Sequence, residues 1–272
     1  PVDDLRDNTN YRDHSYMARA QLQRFFNDGD NIIIGSEISL DQSRSNVLRN
    51  IYEQPEQKTS AGFAKYRMQL RDNLILDMGM RYDYRDVTGG EGYSIKSFQA
   101  FSPKISLIHD MNSSLITYLS YNKGFRAPSI SELFLEYESS YGLLLQGNPT
   151  LKPESLNSIE SGFKLQKEGV SYFGNVFFNQ YSDMIDFIYT IPVRSVNRET
   201  VKGIGAELGS NFYIDKTKSN FNFTYSYLNL NEGSDAPMLY RPKHKIRFTW
   251  VQQFSLLDFR LSTRYVSKQL YE

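Results

Sequence analysis

Hydrophobic and polar residues alternate along most of this 272-residue chain. The clearest stretch is Leu74 to Arg85. Leu74, Leu76, Met78, Met80, Tyr82 and Tyr84 share one side, while Ile75, Asp77, Gly79, Arg81, Asp83 and Arg85 share the other. A period of two is the mark of a strand with one apolar and one polar face. The same pattern sets Phe221 and Phe223 against Asn222 and Thr224, and Phe259, Leu261 and Tyr265 against Arg260 and Arg264. About twelve strands are expected: Tyr11 to Phe26, Asn31 to Leu40, Lys58 to Leu70, Leu74 to Arg85, Ser97 to His109, Ser114 to Tyr121, Ser155 to Lys167, Val170 to Phe187, Val201 to Tyr213, Lys218 to Leu230, Lys243 to Phe254 and Phe259 to Gln269. No amphipathic helix of any length is expected.

The connections alternate in length. Tight turns fall near 28, 72, 111, 168, 216 and 256, and long loops near 48, 90, 138, 194 and 236; the segment Ile188 to Thr200, with Pro192, reads as one of those loops or a distorted edge. An up-and-down sheet puts all the turns on one rim and all the loops on the other. That asymmetry, with strands of about ten residues, fits an all-β, antiparallel transmembrane barrel. A charge on the lipid face is costly, so Asp77, Arg81 and Asp83 must face the lumen and Leu76, Met78 and Met80 the lipid. Tyr82, Tyr84, Tyr225 and Tyr227 are candidates for interfacial girdles. Gly203-Ile204-Gly205 reads as barrel curvature at a strand start.

One stretch interrupts the alternation. Asn122 to Glu154 contains Phe125-Arg126-Ala127-Pro128 and Asn148-Pro149-Thr150-Leu151, followed by Lys152-Pro153-Glu154. The three prolines cannot donate to a ladder, so no central strand crosses them. A connection this long, rich in Leu, Phe and Tyr, is structured rather than a plain linker. Ser131 to Tyr137 suits a short helical turn in a loop packed by its own Leu133, Phe134 and Leu135. Ligand-contacting candidates on this loop are Arg126, Glu132, Glu136, Tyr137, Tyr141 and Gln146. Arg126 reads first as an ion-pairing lumen residue.

The two boxes, the strand after them with Glu160-Ser161-Gly162, and the Tyr265 to Gln269 stretch resemble the barrel of TonB-dependent outer-membrane receptors. In that resemblance Phe125, Arg126, Ala127, Pro128, Asn148, Pro149, Leu151, Pro153 and Glu154 are motif residues whose job is structural. The resemblance implies a plugged barrel of 22 strands in the bacterial outer membrane, about half of it here. Residues 1–272 would then be a partial barrel domain, with the plug, the first strands and the last strands outside it. It implies uptake of a scarce nutrient, a ferric siderophore first and haem or cobalamin next. Expected partners are the TonB complex through the plug, the iron-siderophore or similar ligand, and membrane lipid or lipopolysaccharide. In haem receptors of the family a His lies between the two boxes, and here there is none. A non-transporting surface-binding or adhesion barrel shares every barrel feature.

Composition narrows the picture. A formal net charge of +0 gives no basic excess for a nucleic-acid partner. Cysteine is absent, which removes disulfides and Cys-ligated metals. The mean hydropathy of -0.52 is compatible with a barrel, because its two faces average out. The chain begins Pro1-Val2-Asp3-Asp4 with no visible signal peptide, so a piece of a larger exported protein is expected. The three histidines, His14, His109 and His244, lie far apart and lack metal-ligand spacing. His109-Asp110 suits a solvated turn pair, and His244 a strand end near the loop rim. With no nucleophile elbow or phosphate-binding glycine pattern, neither an enzyme nor a cofactor is expected.

Overall fold

The computed structural model describes residues 11–26, 29–45, 55–89, 94–138, 142–233 and 236–270. Six long strands come first: β1 (Tyr11–Phe25), β2 (Asn31–Ser45), β3 (Glu56–Arg71), β4 (Leu74–Thr88), β5 (Lys96–Asn112) and β6 (Leu115–Arg126). A short helix, α1 (Ile130–Phe134), and two short strands, β7 (Glu136–Glu138) and β8 (Leu144–Gln146), follow. Then come β9 (Glu154–Lys167), β10 (Val170–Ile188), β11 (Val193–Ile214), β12 (Ser219–Glu232), β13 (Ala236–Pro237), β14 (His244–Gln253) and β15 (Asp258–Val266). All the long strands join in one sheet in the order β1-β2-β3-β4-β5-β6-β9-β10-β11-β12-β14-β15. Each pairs antiparallel with the strand before it on that path. The three short strands hang on the long-loop rim.

Register carries the alternation from strand to strand. Asp77 stands opposite Arg67 and Ser106, and Asp83 opposite Ala61 and Ala100. Ser120 stands opposite Ser106 and Glu160. The polar side of β4 therefore continues as the polar side of its neighbours. Ion pairs tie it laterally. Arg67 meets Asp77 at 2.7 Å and Arg81 meets Glu37 at 2.9 Å across strands, while Arg81 also meets Asp83 of its own strand at 2.8 Å. The other face carries Ile34, Ile38, Met80, Tyr82, Phe101, Ile105, Leu119 and Ile159, all exposed. On β3, β4, β6 and β11 the charges of this face, Lys58, Asp86, Lys123 and Lys202, stand towards the long-loop ends. From Leu74 to Tyr84 the band rises about 33 Å along the strand, or about 25 Å once tilted, near the height of a barrel's lipid band.

The outward positions of Leu76, Met78, Met80, Phe221, Phe223, Phe259, Leu261 and Tyr265 all follow from this register. Towards the tight turns the apolar face of β11 to β15 gathers aromatics. Phe221 stacks on Trp250 with centroids 5.9 Å apart, and Trp250 meets Phe259 edge-on at 5.2 Å. Tyr82 and Tyr84 stand on the same face at the opposite end, near the long loops.

Several strands differ from expectation. Val193–Thr200 is not a loop but the first third of β11: it pairs with Ser182 to Ile188 of β10, and β12 joins it only from Val201, so it forms an edge as the second reading expects. Apart from Val193 and Val196, one on each side, its side chains are polar, so no apolar alternation marks it. The β10–β11 hairpin thus projects beyond the point where β12 begins to pair, by about 25 Å at strand rise. Gly203 and Gly205 lie mid-strand, not at a strand start. Gly205 is directly opposite Phe177, whose ring fills the space a Cβ would need. The pairs Gly35 with Phe63, Gly162 with Tyr118, and Gly209 with Phe173 repeat the arrangement on the polar face. Each aromatic ring covers the backbone that its glycine leaves bare. His109 and Asp110 belong to β5, which runs on to Asn112; His109 Nε2 lies 3.1 Å from Asn73 Nδ2 on the neighbouring turn.

The tight turns are locally closed. Gly29 and Gly169 take positive φ, of 88° and 69°. Asp30 accepts from the Gln69 amide at 2.7 Å and from the Tyr66 hydroxyl, tying the first turn to β3. After β11, a 3-10 turn (Asp215–Thr217) sets Asp215 against the Lys218 amine at 2.5 Å. That hydrogen bond holds the aspartate carboxyl below, and the lysine above, its ordinary range. The expected loop near 48 lies outside the described residues, as do Asn27 and Asp28 of the first turn.

Gly205→Ala is expected to force the Phe177 ring off the strand and to destabilise the sheet by about 1–3 kcal/mol, the usual cost of overpacking. Gly62→Ala is expected to be neutral, because no atom lies within 4 Å of the place its methyl would take. Urea unfolding in detergent micelles, followed by Trp250 fluorescence, separates the two.

Candidate functional site at the long-loop rim

The segment from Phe125 to Glu154 closes on itself. Phe125 and Arg126 finish β6, opposite Ser155 and Glu154 of β9. The chain leaves the sheet at Ala127 and Pro128, both buried. Ser129 then caps α1: its hydroxyl accepts from the Glu132 amide at 3.2 Å, and the Glu132 carboxylate accepts from the Ser129 amide at 2.8 Å. This reciprocal capping box lets a five-residue helix persist.

Arg126 joins the two boxes. Its Nη1 donates to both carboxylate oxygens of Glu132, at 3.0 and 2.9 Å. Its Nη2 donates to Glu154 Oε2 at 3.3 Å and to the Ile185 carbonyl at 3.4 Å. Glu154 Oε2 also accepts from the Ile185 amide at 2.9 Å. One guanidinium thus ties the end of β6, the start of β9, α1 and β10. Lys cannot do this, because a single ammonium lacks the planar fork.

Under this network sits a small apolar core of Val87, Leu133, Phe134, Leu151 and Ile185, with Phe98 and Ile130 packed against it. Among the described residues the sheet has no other such cluster, and its apolar face is turned outward. Leu133 and Phe134 are the loop's own packing residues, as their sequence setting suggests. Leu135 is only partly buried.

The second box is fastened by side-chain amides. Asn148 donates to the Ser195 carbonyl at 3.0 Å and accepts from the Thr150 amide and hydroxyl at 3.0 and 2.6 Å. Asn197 accepts from the Lys152 amide at 2.8 Å and donates to the carbonyls of Lys152 and Asp183, at 3.0 and 2.7 Å. Gly147 lies against the end of α1, and a Cβ there would be 2.6 Å from the Leu135 nitrogen. The obstacle is backbone, so only glycine fits. Asn197 and Ser195 lie in the strand segment that the sequence pattern presents as loop; only its length, matched to that of β10, hints at pairing.

Of the ligand candidates, Arg126 and Glu132 are engaged inside this network. Glu136, Tyr137 and Gln146 sit together on a flap, because β7 pairs with β8 and Glu136 stands opposite Gln146. β8 also runs parallel to the start of β11, with Leu145 opposite Val193. The flap lines a cavity of 180 Å³. Tyr141 lies outside the described residues.

A second recess, of 320 Å³, has no counterpart in the sequence pattern. It lies between the projecting hairpin and the segment from β12 to β14. Arg198 lines it, bonded to Asp186 at 3.2 Å and to Glu232 at 2.7 Å. Tyr189 meets Tyr240 edge-on, with ring centroids 5.4 Å apart. Among the described residues no group of His, Cys, Asp or Glu could hold a metal ion. No helix among them is long and apolar enough to cross a membrane, which says nothing of strands.

An up-and-down sheet with an apolar outer band, a polar inner face and a packed loop at one rim is the wall of an outer-membrane β-barrel. The match to the "TonB dependent receptor-like, beta-barrel" model covers residues 3–271, and the chain belongs to that family. Among curated proteins it is 28% identical to the TonB-dependent heme receptor A of Haemophilus influenzae over 104 residues, covering 33% of this chain and 14% of that protein. It is 25% identical to the ferrienterobactin receptor of Escherichia coli over 132 residues, covering 43% of this chain and 16% of that protein. Among solved structures, the Serratia marcescens hemophore receptor HasR superposes with a TM-score of 0.76 at 14% identity, over 96% of this chain and 52% of that one. The chain thus spans about half of a solved relative's length. The family consists of outer-membrane transport receptors.

Arg126→Ala is expected to release α1 and the NPTL segment while leaving the sheet paired. The partly exposed network is worth about 1–2 kcal/mol. Limited proteolysis of the folded protein should then cut between residues 127 and 153 at least tenfold faster, roughly the factor that 1.4 kcal/mol implies. Arg126→Lys is expected to rescue this only in part.

Proposed function

We propose that this barrel wall belongs to a TonB-dependent receptor that takes up a scarce nutrient across the outer membrane, a ferric siderophore first. The observation that carries the reading is the flap of Glu136, Tyr137 and Gln146, held over the rim by the Arg126 network and the Asn148 and Asn197 clamps. A rigidly mounted polar and aromatic flap is a suitable ligand-contacting surface. The resemblance to receptors named for ferrienterobactin supports a siderophore. The match to a receptor named for heme keeps haem as the second reading. Against haem, no histidine lies between the two boxes. Cobalamin is a further alternative.

The remaining barrel strands and the plug would lie outside this chain, and energy would reach the plug from the TonB complex. The apolar face, from Leu74 to Tyr84 and its neighbours, would meet lipid and lipopolysaccharide. Arg126 and Glu132 would act by holding the flap, and Glu136, Tyr137 and Gln146 by touching ligand.

Deleting residues 136–146 from the intact receptor should abolish growth on ferric siderophores under iron limitation, with the barrel still assembled in the outer membrane. Growth restored by hemin alone in the wild type would assign the ligand as haem. Unchanged uptake of every iron complex would leave a non-transporting surface barrel instead.

A further inference from the structure

The outer face carries one lateral row that is polar and cationic. Lys123 of β6 stands opposite Asn157 of β9, Asn157 opposite Gln180 of β10, Gln180 opposite Lys202 of β11, and Lys202 opposite Asn231 of β12. The row belongs to the apolar face, because Leu119, Ile159, Phe178, Ile204 and Tyr227 lie two or four residues from it on the same strands. It stands at the long-loop end of that face. All five strands lie inside the sheet, with β6 next to β5 and β12 next to β14. Lys123 and Lys202 are exposed, and neither makes an ion pair among the described residues. No acid stands on the outer face of these strands between the row and the tight turns. Three strand steps put the two lysines about 14 Å apart.

Below the row the same strands form an apolar groove of 440 Å³. Ser161, Val176 and Ala206 are its floor. They stand side by side on β9, β10 and β11, four residues below Asn157, Gln180 and Lys202, or about 13 Å. The larger Ile159, Phe178 and Ile204 lie between floor and row, and Tyr227 closes the side towards β12. A second groove, of 450 Å³, lies on β1 to β3. Its lysine, Lys58, bonds Glu56 at 2.6 Å and stands opposite Asp86 of β4. One groove thus lies beside a matched charge and the other beneath two unmatched ones.

We propose that the row and the groove together bind one phosphorylated glycolipid of the outer leaflet, with a lipopolysaccharide-type head on the row and an acyl chain in the groove. A cationic row directly above an apolar trough matches an amphiphile with a negative head. Two lysines three strands apart suit a head that carries two separated phosphates. Between and beside them Asn157, Gln180 and Asn231 supply amide donors for the oxygens of a sugar. Asn157 already accepts from the Tyr121 hydroxyl at 3.0 Å, which leaves its N–H groups to donate. A glycerophospholipid has a single phosphodiester and no sugar to fill the span. The site rests on the reading that this face meets lipid and lipopolysaccharide, and it states where and through which groups; it does not depend on the cargo.

The test uses the intact receptor in detergent, stripped of native lipid, with diphosphoryl lipid A as probe and native mass spectrometry as readout. The wild type is expected to retain one lipid A, more tightly than monophosphoryl lipid A or dioleoylphosphatidylglycerol. K123Q/K202Q should weaken lipid A binding about tenfold, and K123R/K202R should keep it. A206F, which fills the groove and changes no charge, should weaken it about threefold. K58Q should leave it unchanged. Heat-modifiable mobility on gels shows which variants assemble, and K202Q alone, with a loss of about threefold, serves if the double variant does not. Wild-type affinity in K123Q/K202Q or in A206F would overturn the site, as would a loss in K58Q as large as in the double variant. Equal retention of lipid A and dioleoylphosphatidylglycerol would overturn it and leave the lipid-facing band standing, whereas retention of neither would sink both. Growth on iron complexes judges the uptake reading separately.

Discussion

A strand that faces hydrocarbon cannot leave backbone N–H or C=O groups unmet, because each costs several kcal/mol where no water can reach it. Every long strand here therefore pairs with its neighbour in the sheet across the apolar band, from β1 through to β15. That continuity imposes the rest. A fixed ladder fixes register, and register with a period of two decides which side of the wall each residue occupies. The Arg81 links to Glu37 and Asp83 can form only because Glu37 of β2 and Arg81 and Asp83 of β4 share one face on either side of β3. The pairing of rings with glycines is a second consequence. Gly35, Gly162, Gly205 and Gly209 leave the backbone uncovered, and the opposed Phe or Tyr covers it again.

At the loop rim the constraint changes, since water can satisfy the backbone and side chains can pack against one another. The residues there build a small conventional core instead. Val87 and Ile185 come from strand ends, and Leu133, Phe134 and Leu151 from the connection between β6 and β9. Arg126 holds this core to the wall by reaching both Glu132 and Glu154. The two boxes are thus one device seen twice in the sequence. The arginine ends one strand, a glutamate starts the next, and the prolines stop the ladder from running through the loop between them.

The alternation at Leu74–Arg85 and Lys218–Leu230 is legible because lipid and lumen demand opposite residues there. So is the separation of turns from loops. Residues 193–200 are not legible, because a strand outside the membrane has water on both sides and no reason to alternate. The same gap hides Asn197 and Ser195, which fasten the second box from that strand. Gly205 is misplaced for a related reason. A glycine read alone suggests curvature, and its need for space shows only once Phe177 is found opposite. At the rim the short helix and its Leu133-Phe134 packing are readable, but the partners of Arg126 are not. Glu154 lies 28 residues away in sequence and comes within reach only because β6 and β9 pair.

Register also decides which charges on the inner face meet a partner. On β2 to β4 the ladder sets Arg67 beside Asp77 and brings Arg81 within reach of Glu37 and Asp83, and those pairs stabilise the wall. On β14 and β15 the same ladder sets Arg247 against Arg264, which weakens the wall. A sheet under no other demand would relax that strain with one substitution of either arginine by a neutral polar residue, such as the Thr249 and Ser262 found opposite each other two residues away.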